Sequence, residues 1–163
     1  MVRAFDLALL RLVRTRGHGL RAELGVGAWS SAGEHGLIWY SLALAGAAVD
    51  GRSRPVYLRA ARAVLLAYAA NTALKFAFRR ARPALEELPA LAPTVSGHSY
   101  PSAHSAMSFA AVRVLSEALP PAPLYAAAVA MALSRPYLGV HYTSDIAAGA
   151  LLGTLVGNRG RPR

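Results

Sequence analysis

The sequence predicts a single-domain, all-α integral membrane bundle over residues 1–163, and three observations point there. Hydrophobic residues make up 55% of the chain and charged residues only 16%, where a soluble domain carries about a quarter charged. The chain is too short for a second core. Four or five largely uncharged apolar runs follow one another along it. A soluble protein this small cannot enclose nearly every helix, because its surface is too large for its volume. Single runs fall short of the about 20 residues that cross a hydrocarbon core of about 30 Å, so their number and the scarcity of charge between them carry the expectation of about five transmembrane helices.

Taken in order, residues 4–15 form a short basic, apolar helix, placed in the membrane interface with Arg11, Arg14 and Arg16 near head groups, or else as a sixth span. Arg11 breaks its apolar stretch and no small-residue cleavage site follows, so it does not read as a signal peptide. Residues 25–33 are rich in Gly and Ser and read as a break; Ser31-Ala-Gly-Glu34 matches a capping box that starts a helix near Ala32. Residues 35–49 carry no Lys, Arg, Asp or Glu, with Trp39 and Tyr40 at the level of an aromatic belt. Asp50 and Gly51 end that helix, and a loop to Arg62 holds Arg52, Arg54, Arg59 and Arg62.

A helix over residues 60–81 then delivers Lys75 and Arg82 from one face, because seven residues make two turns, and Pro83 stops it. Residues 84–103 are a proline-rich loop. Residues 104–119 are the next helix, with Arg113 and Glu117 spaced as an internal pair. Pro120, Pro121 and Pro123 force a tight turn before the apolar residues 122–134. Residues 146–158 are uncharged, with Gly149, Gly153 and Gly157 at a spacing that lets helices approach closely. Arg159, Arg161 and Arg163 finish the chain.

The net charge of +10 selects nucleic acid or an anionic membrane surface. No nucleic-acid motif accompanies the arginines, which leaves the lipid bilayer as the partner. With no cysteine, disulfides and thiolate metal sites are excluded. The basic 51–62 loop and the C-terminus, four helices apart, share one side, cytoplasmic by the positive-inside rule, which puts the two polar signature segments outside in a multi-pass cell-membrane protein. Arg79 and Arg80 run against that count and read as interfacial anchors.

Those two segments carry the chemistry. Lys75, Arg82 and Arg135 are cations suited to the non-bridging oxygens of a phosphate. His141 and Asp145 are four apart, so the carboxylate can fix one ring nitrogen and leave the other as a nucleophile. His104 is then the general acid for the departing alkoxide and the base for water. Ser102 and the backbone N–H near Ala103, at a helix start, add donors. Phosphoryl transfer needs mainly positioning and charge neutralisation, which these cations can supply without a metal or cofactor. His18, His35 and His98 read as caps or solvated residues.

Lys75…Arg82-Pro83, Pro101-Ser102-Ala103-His104 and Ser134-Arg135…His141…Asp145 resemble the three signatures of the type 2 phosphatidic acid phosphatase superfamily. Ala103 departs from them, standing where the family usually has Gly; the added Cβ matters only if φ is positive there. The resemblance implies a helical membrane bundle, metal-independent hydrolysis of a lipid phosphate and a phosphohistidine on His141. The short length, the basic N-terminal segment and Gly33-Glu34-His35 are further similar to an actinobacterial branch acting on decaprenylphosphoryl phosphoribose. A polyprenyl diphosphate or phosphatidylglycerol phosphate remains an alternative substrate, since the signatures read only phosphate, and a non-catalytic anionic-lipid binder is the alternative from another class.

Overall fold

The computed structural model describes residues 2–159; Arg161 and Arg163 of the expected basic C-terminus lie outside them. In chain order come α1 (Val2–Arg14), α2 (Leu20–Ala32), a 3-10 turn (Glu34–Gly36), α3 (Leu37–Val49), α4 (Arg54–Phe78), α5 (Ala103–Leu115), α6 (Pro121–Tyr137) and α7 (Thr143–Arg159), with no strand among the described residues. One isolated bridge pairs Ala81 with His98.

The bundle is wrapped around α5, which buries ten of its 13 residues. Alanines meet alanines there: Ala60, Ala63 and Ala67 of α4 join Ala106, Ala110 and Ala111 of α5 in the core. On the other flank α7 turns its glycine row onto α5, as its spacing predicts. A Cβ on Gly153 would stand 2.2 Å from the Ala106 carbonyl oxygen, and one on Gly149 2.5 Å from that of Ser102. The backbones therefore touch, and dispersion between close-packed main chains replaces bulky side chains. Trp39 of α3 ties in by donating from Nε1 to Ser108 Oγ at 2.8 Å.

Helices α3 to α7 run alternately up and down. The turns at 50–53 and 116–120 close one end, and the 3-10 turn, residues 79–102 and residues 138–142 crowd the other. There α1 and α2 lie against α6 and the start of α7, and Arg14 staples the layer by donating to the carbonyls of Tyr137 and Pro89.

Several sequence expectations are corrected. Residues 25–33 are not a break: α2 runs through them to Ala32. α2 lies against α6, and its Ser30 is buried and hydrogen-bonded to His104 and Arg135, so tertiary contact overrides the about 1 kcal/mol that a helical glycine costs. The capping box does not start a helix. The chain turns instead through left-handed conformations at His35 (φ 50°) and Gly36 (φ 76°), and a Cβ at Gly36 would also meet Val64 at 2.7 Å. The basic loop is only residues 50–53, because α4 begins at Arg54 and carries Arg59 and Arg62 on its first turns. Glu117 reaches across to Arg59.

The largest correction concerns the far end of α4. It stops at Phe78, with Arg79 left-handed at φ 48°, well before Pro83, so Lys75 and Arg82 do not leave one helical face. The loop wins because it satisfies backbone groups that more helix would not: Ser99 donates its N–H to the Arg80 carbonyl at 2.8 Å, and its hydroxyl lies within reach of the carbonyls of Arg80 and Ala81. No helix among the described residues is long and apolar enough to cross a membrane; α4 has 25 residues but carries Arg54, Arg59, Arg62 and Lys75.

The glycine seam yields a direct contrast. Gly153→Ala is expected to cost about 1–3 kcal/mol, the usual penalty for overpacking, because the atom a Cβ would meet is backbone. Gly25→Ala, with open space at its Cβ, should leave stability equal or raised. Thermal unfolding of the two purified variants in detergent measures both.

Candidate active site

Where the first turns of α5 and α7 meet the last turns of α4 and α6, the structure encloses a cavity of about 370 Å³. Six of the eight sequence candidates border it: Lys75, Arg82, Ala103, His104, Arg135 and His141. Asp145 stands behind His141 and Ser102 is wholly buried as the N-cap of α5, its Oγ 3.5 Å from the Ser105 N–H. Ser102 is thus placed to hold the helix start, not to face the cavity. Ala103 has no positive φ, so the methyl in place of glycine meets no backbone strain.

His141 sits on the loop between α6 and α7, and its surroundings fix its proton. Arg82 donates to the Val140 carbonyl at 2.7 Å and the Ser96 carbonyl at 2.8 Å, and its Nη1 lies 3.2 Å from His141 Nε2. A guanidinium has donors only, so Nε2 is the lone-pair nitrogen and the proton is on Nδ1, which faces Asp145 Oδ2 at 3.4 Å. Burial, then the charges of Arg82, Arg135 and Lys75, push the ring's pKa well below the usual histidine value. The imidazole is therefore neutral at physiological pH, with its lone pair toward the cations.

Behind the ring lies a network that sequence reasoning missed. Asp145, 0% exposed, accepts from the Tyr142 N–H at 2.9 Å and from Arg80 Nη1 at 2.8 Å. Arg80 is no interfacial anchor: its guanidinium lies 4.1 Å over the Tyr142 ring, and its Nη2 donates to Asp6 Oδ2 at 2.8 Å. Asp6 also accepts from Thr143 Oγ1, the Ser144 N–H and the Ser144 hydroxyl. Burial works to raise the Asp6 carboxyl, but the hydrogen bonds from Arg80, Ser144 and Thr143 outweigh it and hold it at about 2. The available signal was a lone acid in an apolar, basic helix. Nothing in Arg79-Arg80-Ala81-Arg82 marks which arginine turns inward.

His104 faces the cavity from the start of α5. Its Nε2 donates to the Ser30 carbonyl at 3.0 Å, which leaves Nδ1 as the nitrogen free to exchange a proton with a bound group. Arg135, in the last turn of α6, donates to the hydroxyl of the same Ser30, and its buried Nε has no partner among the described residues. Lys75 donates to the His98 carbonyl at 2.9 Å. His35 and His98, read as solvated or capping, border the cavity too, as does Glu34, whose Oε1 is 3.8 Å from His104 Nε2. His18, by contrast, stacks on Tyr137 with ring centroids 4.1 Å apart. Among the described residues no group of three or more His, Cys, Asp or Glu is placed to hold a metal ion. Three cations, a neutral imidazole backed by a carboxylate and a second imidazole are what binding and transferring a phosphoryl group requires.

Comparison with known proteins agrees with this chemistry. The model of the PAP2 superfamily matches residues 56–159. A protein of Mycobacterium tuberculosis named decaprenylphosphoryl-5-phosphoribose phosphatase is 40% identical over 126 residues, covering 77% of this chain and 71% of that protein. A protein of the same name from Mycolicibacterium smegmatis is 39% identical over 126 residues, 77% of this chain and 69% of its own length. Among solved structures, Aquifex aeolicus LpxE superposes with a TM-score of 0.74 at 26% identity, covering 94% of this chain and 93% of that one. The first transmembrane PAP2 type phosphatidylglycerolphosphate phosphatase from Bacillus subtilis does so at 0.81, with 22% identity over 98% and 84%.

The proton placement has a spectroscopic consequence. An ordinary histidine, with a pKa of about 6.5, is about nine-tenths charged at about pH 5.5. His141 should still show the nitrogen shifts of a neutral, Nδ1-protonated ring in 15N-histidine NMR at that pH, assigned by loss of the signal in His141→Gln. An imidazolium signature there contradicts the placement.

Proposed function

This chain belongs to the PAP2 superfamily and is a phosphoric monoester hydrolase, and from that premise we propose that it removes the phosphomonoester of a polyprenyl-linked membrane lipid, decaprenylphosphoryl-5-phosphoribose or a close analogue. The observation that carries the chemistry is the single cavity bordered by Lys75, Arg82, Arg135, His104 and His141. The choice of lipid rests on the names of the two mycobacterial relatives.

In this mechanism the phosphate oxygens lie among Lys75, Arg82 and Arg135, and Arg82 exchanges its contact with His141 Nε2 for one of those oxygens. Nε2 attacks phosphorus in line, the P–N bond forms, and the P–O ester bond breaks. His104, which takes up a proton at Nδ1 as the negatively charged phosphate settles beside it, gives that proton to the departing alkoxide, and Asp145 balances the charge that appears on the phosphorylated ring. The now-neutral His104 takes a proton from water, whose oxygen attacks phosphorus, releasing inorganic phosphate and restoring neutral His141. The fixed cations supply the charge neutralisation.

We further propose that the bundle is a multi-pass membrane protein with its cavity at the extracytoplasmic boundary. Large apolar side chains stand outward at mid-height: Leu44 on α3, Leu65 on α4 and Leu151 on α7 are 57%, 56% and 62% exposed. Arg52, Arg54, Arg59 and Arg62 gather at the end away from the cavity, which the positive-inside rule makes cytoplasmic. Thirteen-residue helices such as α3 rise only about 20 Å; local bilayer thinning and outward-reaching arginines accommodate that mismatch.

Purified protein in detergent, with a metal chelator present, should release phosphate from decaprenylphosphoryl-5-phosphoribose faster than from phosphatidylglycerol phosphate or a polyprenyl diphosphate. His141→Ala should be inactive, and Arg135→Ala slower by about a hundred- to a thousand-fold, the cost typical of one lost transition-state donor. Turnover that persists in His141→Ala removes the covalent mechanism. A reversed substrate order removes the lipid assignment alone.

A further inference from the structure

We propose that Asp6, on the N-terminal helix, is a positioning residue for phosphoryl transfer: through Arg80 it holds Asp145, and through Asp145 the ring of His141. The proposal rests on His141 being the nucleophile.

Asp6 is 1% exposed, and its partners all belong to this network: Arg80, Thr143 and Ser144. Arg80 bridges two carboxylates with its two terminal nitrogens, Nη2 on Asp6 and Nη1 on Asp145, each at 2.8 Å. Docking α1 does not explain that arrangement. Leu10, 0% exposed, the two Arg14 hydrogen bonds and the Tyr137 hydroxyl on the Gly17 carbonyl already fix this part of the chain, whereas burying a carboxylate carries a desolvation cost.

Charge balance gives the arrangement a purpose. Paired with Asp145 alone, Arg80 would neutralise the carboxylate that must support a positive ring. With Asp6 present, Asp6, Arg80 and Asp145 together keep one negative charge, and that charge is cancelled when the His141 ring becomes cationic. Asp6 also holds the Ser144 N–H and hydroxyl, which fixes the first turn of α7 and hence the direction of Asp145. An N-terminal helix that looks peripheral therefore belongs to the site.

The experiment compares Asp6→Asn, Ser144→Ala and Thr15→Ala with the unsubstituted protein on the lipid phosphate. Outer partners that orient metal-ligating histidines typically cost about 10–100-fold when lost; for the same kind of orienting role here, Asp6→Asn should lower kcat by about that factor with KM within about twofold. Asp6→Glu should recover part of the loss. In an Asp145→Asn background Asp6→Asn should add almost nothing, because the chain of contacts is already cut; a merely structural loss would add in full. Thr15→Ala, which removes an exposed hydroxyl on the carbonyls of Arg11 and Leu12, should be silent. If Asp6→Asn does not fold, Ser144→Ala, which keeps the carboxylate but loses a hydroxyl shared by Asp6 and Arg80, should show the same kcat loss and non-additivity. An unchanged kcat, or full additivity with Asp145→Asn, overturns the proposal. Activity in His141→Ala would instead overturn the mechanism beneath it, so the two failures are separable.

Discussion

The contact on which the rest depends is backbone against backbone, where α7 lies on α5. Both polar signatures end at the starts of these two helices, His104 on one and Asp145 on the other. Only glycine at 149 and 153 lets the first turns come close enough for the Ser102 N–H to donate to the Asp145 carbonyl at 3.0 Å. Had larger residues stood there, the two imidazoles would face separate clefts. A seam without side chains thus fixes the distance between groups more than thirty residues apart in sequence.

Electrostatics completes what the seam positions. The cations Lys75 and Arg82 donate to loop carbonyls at His98, Ser96 and Val140, and Arg135 to Ser30. Such neutral partners satisfy hydrogen bonds without cancelling charge, so the positive field in the cavity persists. Carboxylates that would quench it are set behind His141, and among the described residues Glu34 is the one acid at the rim. The result is a site polarised along one line, from Asp6 through Arg80, Asp145 and His141 to the three cations.

Much of this could be read from residue types alone. Low charge and repeated apolar runs indicate the helical class, and set spacings bring six candidate residues to one cavity. What could not be read were the places where tertiary packing overrules local preference. Gly25 and Gly27 look like a break but lie in α2, because that helix is held against α6 and tied at Ser30 to His104 and Arg135. Arg82 sits two turns after Lys75, yet α4 stops at Phe78, because Ser99 offers the Arg80 carbonyl a better partner. Asp6 and Arg80 are far apart in sequence and joined only in space, so no spacing rule connects them. Helix length follows the short runs of the sequence: apolar character is spread over many helices, and among the described residues none is long and apolar enough to cross a membrane.

Ser30 links two parts of the site that its sequence position does not suggest. Its carbonyl accepts a hydrogen bond from His104 Nε2 and its hydroxyl accepts one from Arg135 Nη1, so one residue near the C-terminus of α2 touches both the proposed proton donor and the proposed oxygen clamp. A tilt of α2 therefore drags both imidazole and guanidinium, like two keys on a single ring. Lys75 and Arg82 keep their partners on other loops, so it is the acid and one of the three cations that share this single support.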